Sequence, residues 1–145
     1  MDFDHLFATF RIGASGLTAE RARMRAIANN LANANVTRDA DGNPFRRDVV
    51  VFREVLDRAL RGGTAGATLG GVRVAGIVKS PAPFRTEYRP GHPDADKETG
   101  MLRLPNVDPV TEMVDMMTVS RAYQANLAVL TTFKEMMTQT LRLSR

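Results

Sequence analysis

Leu104-Pro105-Asn106-Val107-Asp108-Pro109 is a turn whose two prolines stop any helix arriving from upstream, and no proline or glycine follows as far as Leu143. Asp108-Pro109 reads as a helix start. The Asp108 carboxylate can accept from the free N–H groups of a first turn, and Pro109 stands where a missing N–H costs nothing. One helix of about 50 Å is then allowed at 1.5 Å per residue. Glu112 and Asp115 near its start and Arg142 and Arg145 near its end complement its dipole. Met116, Tyr123, Leu130 and Met137 recur every seven residues, with Met113, Leu127 and Leu141 on the neighbouring heptad position. Ser120 and Lys134 are polar gaps in that pattern. The spacing predicts a coiled-coil seam, which requires a partner helix.

The other end of the chain supplies a candidate partner. Phe3, Phe10, Leu17, Met24 and Leu31 also fall seven apart, with Leu6, Phe7, Ala14, Ile27, Ala28 and Ala34 filling adjacent positions. This predicts a second long helix over about residues 3–34. Gly13 and Gly16 weaken its middle by roughly 1 kcal/mol each against Ala. They allow a kink, a close helix–helix approach, or simply a poor helix. Four asparagines then crowd Asn29-Asn30-Leu31-Ala32-Asn33-Ala34-Asn35. Asn competes with a helix for backbone hydrogen bonds, and it tolerates the left-handed conformation of a helix cap. That cap reading is favoured for Asn33 and Asn35; Asn29 and Asn30 are open to it or to amide contacts with neighbouring chains.

The middle of the chain has a different character. Asp39-Ala40-Asp41-Gly42-Asn43-Pro44 is dense in turn formers. It half-matches a calcium loop, but Thr37 stands at the first ligand position and Asp48 in place of the bidentate Glu, so calcium is not expected. Asp48 to Phe52 reads as a strand, and Arg53 to Arg61 could extend it or form a short helix. The run from Gly62 to Gly71 reads as a flexible loop. Val72 to Val78 alternates like a strand, and Lys79 to Pro93, with its prolines, reads as extended and irregular. The expected organisation is therefore an N-terminal helix over 1–36, a β-rich or irregular middle over 37–105 with its loop at 62–71, and a C-terminal helix over 106–145. The expected fold class is mainly α with a small β-rich middle, the terminal helices paired as an antiparallel coiled coil.

Composition narrows the possible functions. The 145 residues are 43% hydrophobic and 25% charged, ordinary for a folded chain, but only 6% aromatic, which makes for a thin core. With no cysteine, disulfides, redox thiols and thiolate zinc sites are excluded. The net charge is +4, yet the bases are dispersed, and Arg21-x-Arg23-x-Arg25 spreads around a helix rather than along one face. A nucleic-acid binder would cluster its bases with stacking aromatics. His92-x-Asp94-x-Asp96 reads as an acidic turn rather than a metal site, since no further His or Cys lies nearby. No nucleophile elbow or phosphate-cradling glycine motif is present, and His5 and His92 are the only histidines, so no enzyme is expected. The acidic start Met1-Asp2-Phe3-Asp4 is not that of a signal peptide, and no apolar run is long enough to span a membrane. A structural subunit, a coiled-coil adaptor and a basic nucleic-acid binder are the readings left, the last resting on pI alone.

Residue-level blocks favour the first. Pro90-Gly91-His92-Pro93-Asp94-Ala95-Asp96, Pro105-Asn106-Val107, Glu112-Met113-Val114-Asp115-Met116 and Ser120-Arg121-Ala122-Tyr123-Gln124-Ala125-Asn126 resemble, in order and spacing, the FlgC family of flagellar basal-body rod proteins. Arg23-Met24 with Ile27-Ala28-Asn29-Asn30-Leu31-Ala32-Asn33 is similar to the N-terminal signature of flagellar axial proteins. The resemblance covers Arg23–Asn33, Gly42–Phe52, Gly71–Val78 and Pro90–Asn126, with Met136-Met137 near the end. It departs at Met101-Leu102, where the family pattern has Tyr-Val, and at Thr118-Val119.

The resemblance implies a structural subunit of the proximal rod that polymerises helically through its terminal helices. The product would be the drive shaft carrying motor torque to hook and filament, needed for flagellum assembly and motility. It implies as partners copies of the same chain, the rod proteins FlgB, FlgF and FlgG, the rod adapter FliE and the flagellar type III export apparatus. It also implies export without a cleaved signal peptide, a place in the basal body where the rod crosses the periplasm, and no cofactor, nucleic acid or membrane span. The expected seam residues are Leu17, Met24, Leu31, Met116, Tyr123, Leu127 and Leu130. Asn29, Asn30, Asn33, Arg121, Gln124 and Asn126 are the expected polar contacts between subunits.

Overall fold

A computed structural model describes residues 3–39, 41–57 and 68–143. Its elements are α1 (Phe3–Ala32), β1 (Asp48–Asp57), β2 (Thr68–Lys79), β3 (Arg85–Tyr88), β4 (Met101–Leu104) and α2 (Pro109–Leu143). β1 and β2 form one antiparallel sheet, with Asp48 opposite Lys79 and Glu54 opposite Val72; β3 and β4 form another, with Arg85 opposite Leu104.

α2 starts where local chemistry allows it. Asp108 Oδ2 accepts from the Thr111 hydroxyl at 2.6 Å, Asp108 Oδ1 accepts from the Val110 N–H at 3.3 Å, and the Glu112 N–H donates to the Asp108 carbonyl. At the other end of the polar run, α1 stops without a left-handed cap: no residue other than glycine has a positive φ among the described residues. Asn33 closes the helix differently, donating its side-chain amide to the Asn29 carbonyl at 2.8 Å.

The helices run antiparallel. Gly13 of α1 lies against Leu130 of α2, Gly16 against Asn126, and Asn30 bonds Glu112. The expected fold class is nonetheless corrected: the molecule is two helices with two small antiparallel sheets, and no coiled coil is shown. Met113, Leu127 and Leu141, which a seam would cover, stand 51%, 48% and 53% exposed. Among the described residues, those buried in α1 are Ala19, Ala26, Ile27 and Asn30, and those buried in α2 are Glu112, Val119 and Leu130. The physical reason is the close approach. With only hydrogen at position 13, α1 offers no knob opposite Leu130, which packs directly onto the α1 backbone. α1 also shares its surface with β1 and β2, so its apolar residues serve two neighbours.

In the middle, β1 continues past the expected Phe52 to Asp57, and β2 begins at Thr68. Of the glycine-rich run, residues 62–67 lie outside the described residues, whereas 68–71 are strand rather than loop. The proline-rich segment contains β3, paired with β4. Leu102, at the position that departs from the family pattern, is fully buried, as are Pro105 and Val107 just before α2. Ala34 beyond the end of α1 shares one hollow with Leu102, Leu104 and Pro109. The guanidinium groups of Arg46 and Arg103 both lie over the Phe84 ring, 4.2 Å and 4.9 Å from its centre.

Candidate assembly surface

Three segments far apart in sequence meet at the end of α1. The Asn30 amide treats Asp48 as a strand neighbour would. Its Oδ1 accepts from the Asp48 N–H at 2.7 Å, and its Nδ2 donates to the Asp48 carbonyl at 3.0 Å. The same Nδ2 donates to Glu112 Oε2 at 3.1 Å. Glu112 is 1% exposed, and its other oxygen accepts from Arg47 Nε, while Arg47 Nη2 reaches Asp115 Oδ2 at 3.3 Å. The Asp48 carboxylate accepts from Asn29 Nδ2 at 2.7 Å and from Lys79 Nζ at 2.8 Å. A buried carboxylate must be paired and hydrogen-bonded, and here both partners are present. The junction ties the end of α1, the start of β1 and the start of α2 into one body.

Around this body the surface is apolar. On α2, Val110, Met113, Val114 and Met117 are each more than half exposed within its first turns. Leu127, Val129, Met136 and Leu141 continue the exposure toward its end, and Phe10 and Ile12 add to it from α1. Val51, Phe52, Ile77 and Val78 are exposed on the β1–β2 hairpin. So much exposed apolar side chain on so small a chain marks surfaces meant to be covered.

The expected site residues distribute over both regions. Leu130 is buried; Leu17, Met24, Leu31, Met116 and Tyr123 are half-buried; Leu127 is exposed. Arg121 and Gln124 are exposed on α2, and Asn126 is half-buried against Gly16. Asn29 and Asn33 bond each other, Asn33 Nδ2 donating to Asn29 Oδ1 at 3.0 Å, while Asn30 spends its amide inside the chain. Arg47, Asp48 and Glu112 carry the junction, and no sequence pattern marks them as partners of one another. In sequence Glu112 reads as a dipole charge, and only its place seven residues before Val119, in line with the packed face, hints at burial.

The polar turns close on themselves. Asp39 Oδ1 accepts from the N–H groups of Asp41 and Asn43, and Asp94 pairs with Thr37 and Arg38. The N–H of Glu98, then that of Thr99, holds the Asp96 carboxyl below the usual carboxylate range. The Thr111 hydroxyl, with the Val110 N–H, does the same for Asp108. Among the described residues, no group of three or more His, Cys, Asp or Glu could hold a metal ion, and no helix is long and apolar enough to cross a membrane.

Comparison with known proteins places this surface in context. Residues 10–38 match the family model described as flagella basal body rod protein, and residues 98–143 that described as flagellar basal body rod FlgEFG protein C-terminal. The chain is 44% identical to the flagellar basal-body rod protein FlgC of Escherichia coli O157:H7 over 140 residues, 97% of this chain and 98% of the relative. The chain belongs to the FlgC family of flagellar basal-body rod proteins. The FlgC of Salmonella typhimurium strain LT2 is likewise 44% identical over 97% of this chain and 98% of its own. That of Bacillus subtilis strain 168 is 36% identical over 96% of this chain and 98% of its own. Membership gives this FlgC-family chain a structural role in the flagellar basal-body rod, in assembly with other rod components, and so a part in motility. The matched segments contain most of α1 and α2, the helices that carry the exposed apolar residues.

Proposed function

We propose that this chain polymerises helically, through its terminal helices, into the proximal rod and so builds part of the shaft that carries motor torque to hook and filament. The observation that carries this reading is the apolar surface of α2, whose large side chains stay exposed from Val110 to Leu141. A helix apolar on several faces belongs in the interior of something larger, and one chain of this size does not cover it. Where such contacts join unlike patches head to tail and the rotation does not close into a ring, they build open helical stacks.

In this reading the partners are further copies of the chain, the rod proteins FlgB, FlgF and FlgG and the adapter FliE, delivered by the type III export apparatus without a cleaved signal, in the rod as it crosses the periplasm. Arg121 and Gln124, exposed between the apolar residues of α2, with Asn126, Asn29 and Asn33, give the contacts between subunits their register. Asn30 holds the subunit itself together. Leu17, Met24, Leu31, Met116, Tyr123, Leu127 and Leu130 line the packing between helices within and between subunits. The work is mechanical, with no catalytic step.

An in-frame deletion of the gene in the source bacterium, viewed by electron microscopy, tests this. Cells lacking rod, hook and filament, restored by the intact gene, are expected. Fully flagellated, motile deletion cells carrying no second copy of the gene would overturn it.

A further inference from the structure

α1 is pinched from two sides over Ile12–Gly16. On one side Leu130 of α2 lies so close to Gly13 that an added Cβ would stand 2.6 Å from its Cδ2. On the other, β2 lies across Ser15. The Ser15 hydroxyl donates to the Ile12 carbonyl at 2.7 Å and accepts from the Val72 N–H at 3.1 Å. Gly71, at a φ of +106°, allows the strand to come this near, since a Cβ there would collide with Ser15 Oγ. The hairpin is tied to α1 a second time at its base, where Asn30 holds both peptide groups of Asp48.

The two ties match in length. Val72 stands opposite Glu54, so the ties are separated on β1 by the seven residues from Asp48 to Glu54, whose six steps cover about 20 Å of strand. From Ser15 to Asn30 the helix rises about 22 Å at 1.5 Å per residue. Strand and helix therefore run side by side between their fastenings without slack.

We infer that the β1–β2 hairpin is a strap of fixed length that keeps α1 helical across its glycine-bearing middle. The close approach of α2 requires glycine at position 13, and glycine weakens the helix that must bear that contact. The strap, fastened at Ser15 and at Asn30, makes good the loss. A rod subunit gains from this a first helix whose stiffness comes from tertiary contact rather than from its own sequence.

Amide hydrogen exchange of the full chain, read by mass spectrometry, tests the strap with Ser15→Ala, Gly71→Ala and, as control, Gly76→Ala. Gly76 lies on the same strand with nothing within 4 Å of an added Cβ. Ser15→Ala improves helix propensity, so on propensity alone exchange in α1 should slow. The strap predicts the opposite: both Ser15→Ala and Gly71→Ala speed exchange about tenfold over residues 9–20 and 70–78 together, while 22–32 stays protected. Gly76→Ala should change neither segment. Acceleration confined to the hairpin, acceleration spread over the whole chain, no acceleration at all, an equal effect from Gly76→Ala, or an α1 unprotected in the unsubstituted chain would each overturn the inference.

Discussion

Gly13 and Gly16 stand one turn apart on α1, and the same substitution should act on them in opposite directions. A Cβ at Gly16 meets only Asn126 Nδ2, at 3.5 Å, an ordinary contact. Gly16→Ala should therefore stabilise the chain by about 0.5–1 kcal/mol through helix propensity. At Gly13 the added methyl meets buried Leu130, 2.6 Å from Cδ2 and 3.1 Å from Cγ, so overpacking by about 1–3 kcal/mol outweighs the propensity gain. Urea unfolding of the two variants checks the sign at each position. Glu112 offers a further test. Its replacement by Ala removes the buried partner of Asn30 and Arg47; because Arg47 is part-exposed and keeps Asp115, the cost is about 1–3 kcal/mol in the same measurement. A loss under about 1 kcal/mol would mean that the junction contributes little. Asp108 links the α2 cap to pH. Its carboxyl is held below the usual range by the Thr111 hydroxyl first, so its contribution is present above the unfolded-state pKa and is lost as pH falls through the folded one. Carboxyl NMR should show Asp108 titrating below a free aspartate, and a midpoint at or above that of the free residue would contradict the cap.

At the scale of elements, α2 has a packed face and exposed faces, and the two can be separated by substitution. Met117 is 52% exposed, so Met117→Glu should shift unfolding of the chain by no more than about 0.5 kcal/mol. Placed in an apolar contact between subunits, the same carboxylate would be buried without a partner and rod assembly should fail. Normal stability with no flagella, seen by thermal melting and electron microscopy, is the expected pair of results; normal flagella would remove this face from the assembly. The start of α2 is legible in sequence because capping is local chemistry between Asp108, Val110 and Thr111. β3 is not. Arg85, Thr86, Glu87 and Tyr88 are all exposed, so no alternation marks them, and their partner β4 begins across the loop that ends at Gly100. The heptad pattern identifies both helices, and its positions Met116, Tyr123 and Leu130 are half-buried or buried, but it widens the covered face of α2 to Met113 and Leu127, which are apolar for neighbours outside the chain in the reading proposed above.

For the whole molecule the balance of forces in assembly is open to measurement. The chain carries a net charge of +4, so copies repel one another through solvent while their apolar faces attract. Raising salt to about 1 M shrinks the range of that repulsion to about 3 Å and leaves the apolar attraction in place. Self-association of the purified chain, followed by sedimentation, should therefore strengthen with salt. Association that weakens as salt rises would point to charge pairing between subunits. Within the junction, Glu112 and Asn30 are buried and their contacts should survive either condition, whereas the pair of exposed Lys79 with Asp48 should weaken as salt rises.

What the sequence by itself determined was what short-range chemistry controls: where the long helices lie, where α2 begins, that a strand starts at Asp48, and, through ordered blocks of residues, the family. Tertiary structure alone decided how those pieces meet. Asn30 becomes a stand-in for a peptide group only because Asp48 lies beside it, and Glu112 becomes a buried charge only because Arg47 and Asn30 arrive together. The close packing at Gly13, in place of a coiled coil, follows from the same cause. Periodicity records that a residue is apolar, but whether a helix, a strand or another chain covers it depends on groups distant in sequence and near only in the folded state.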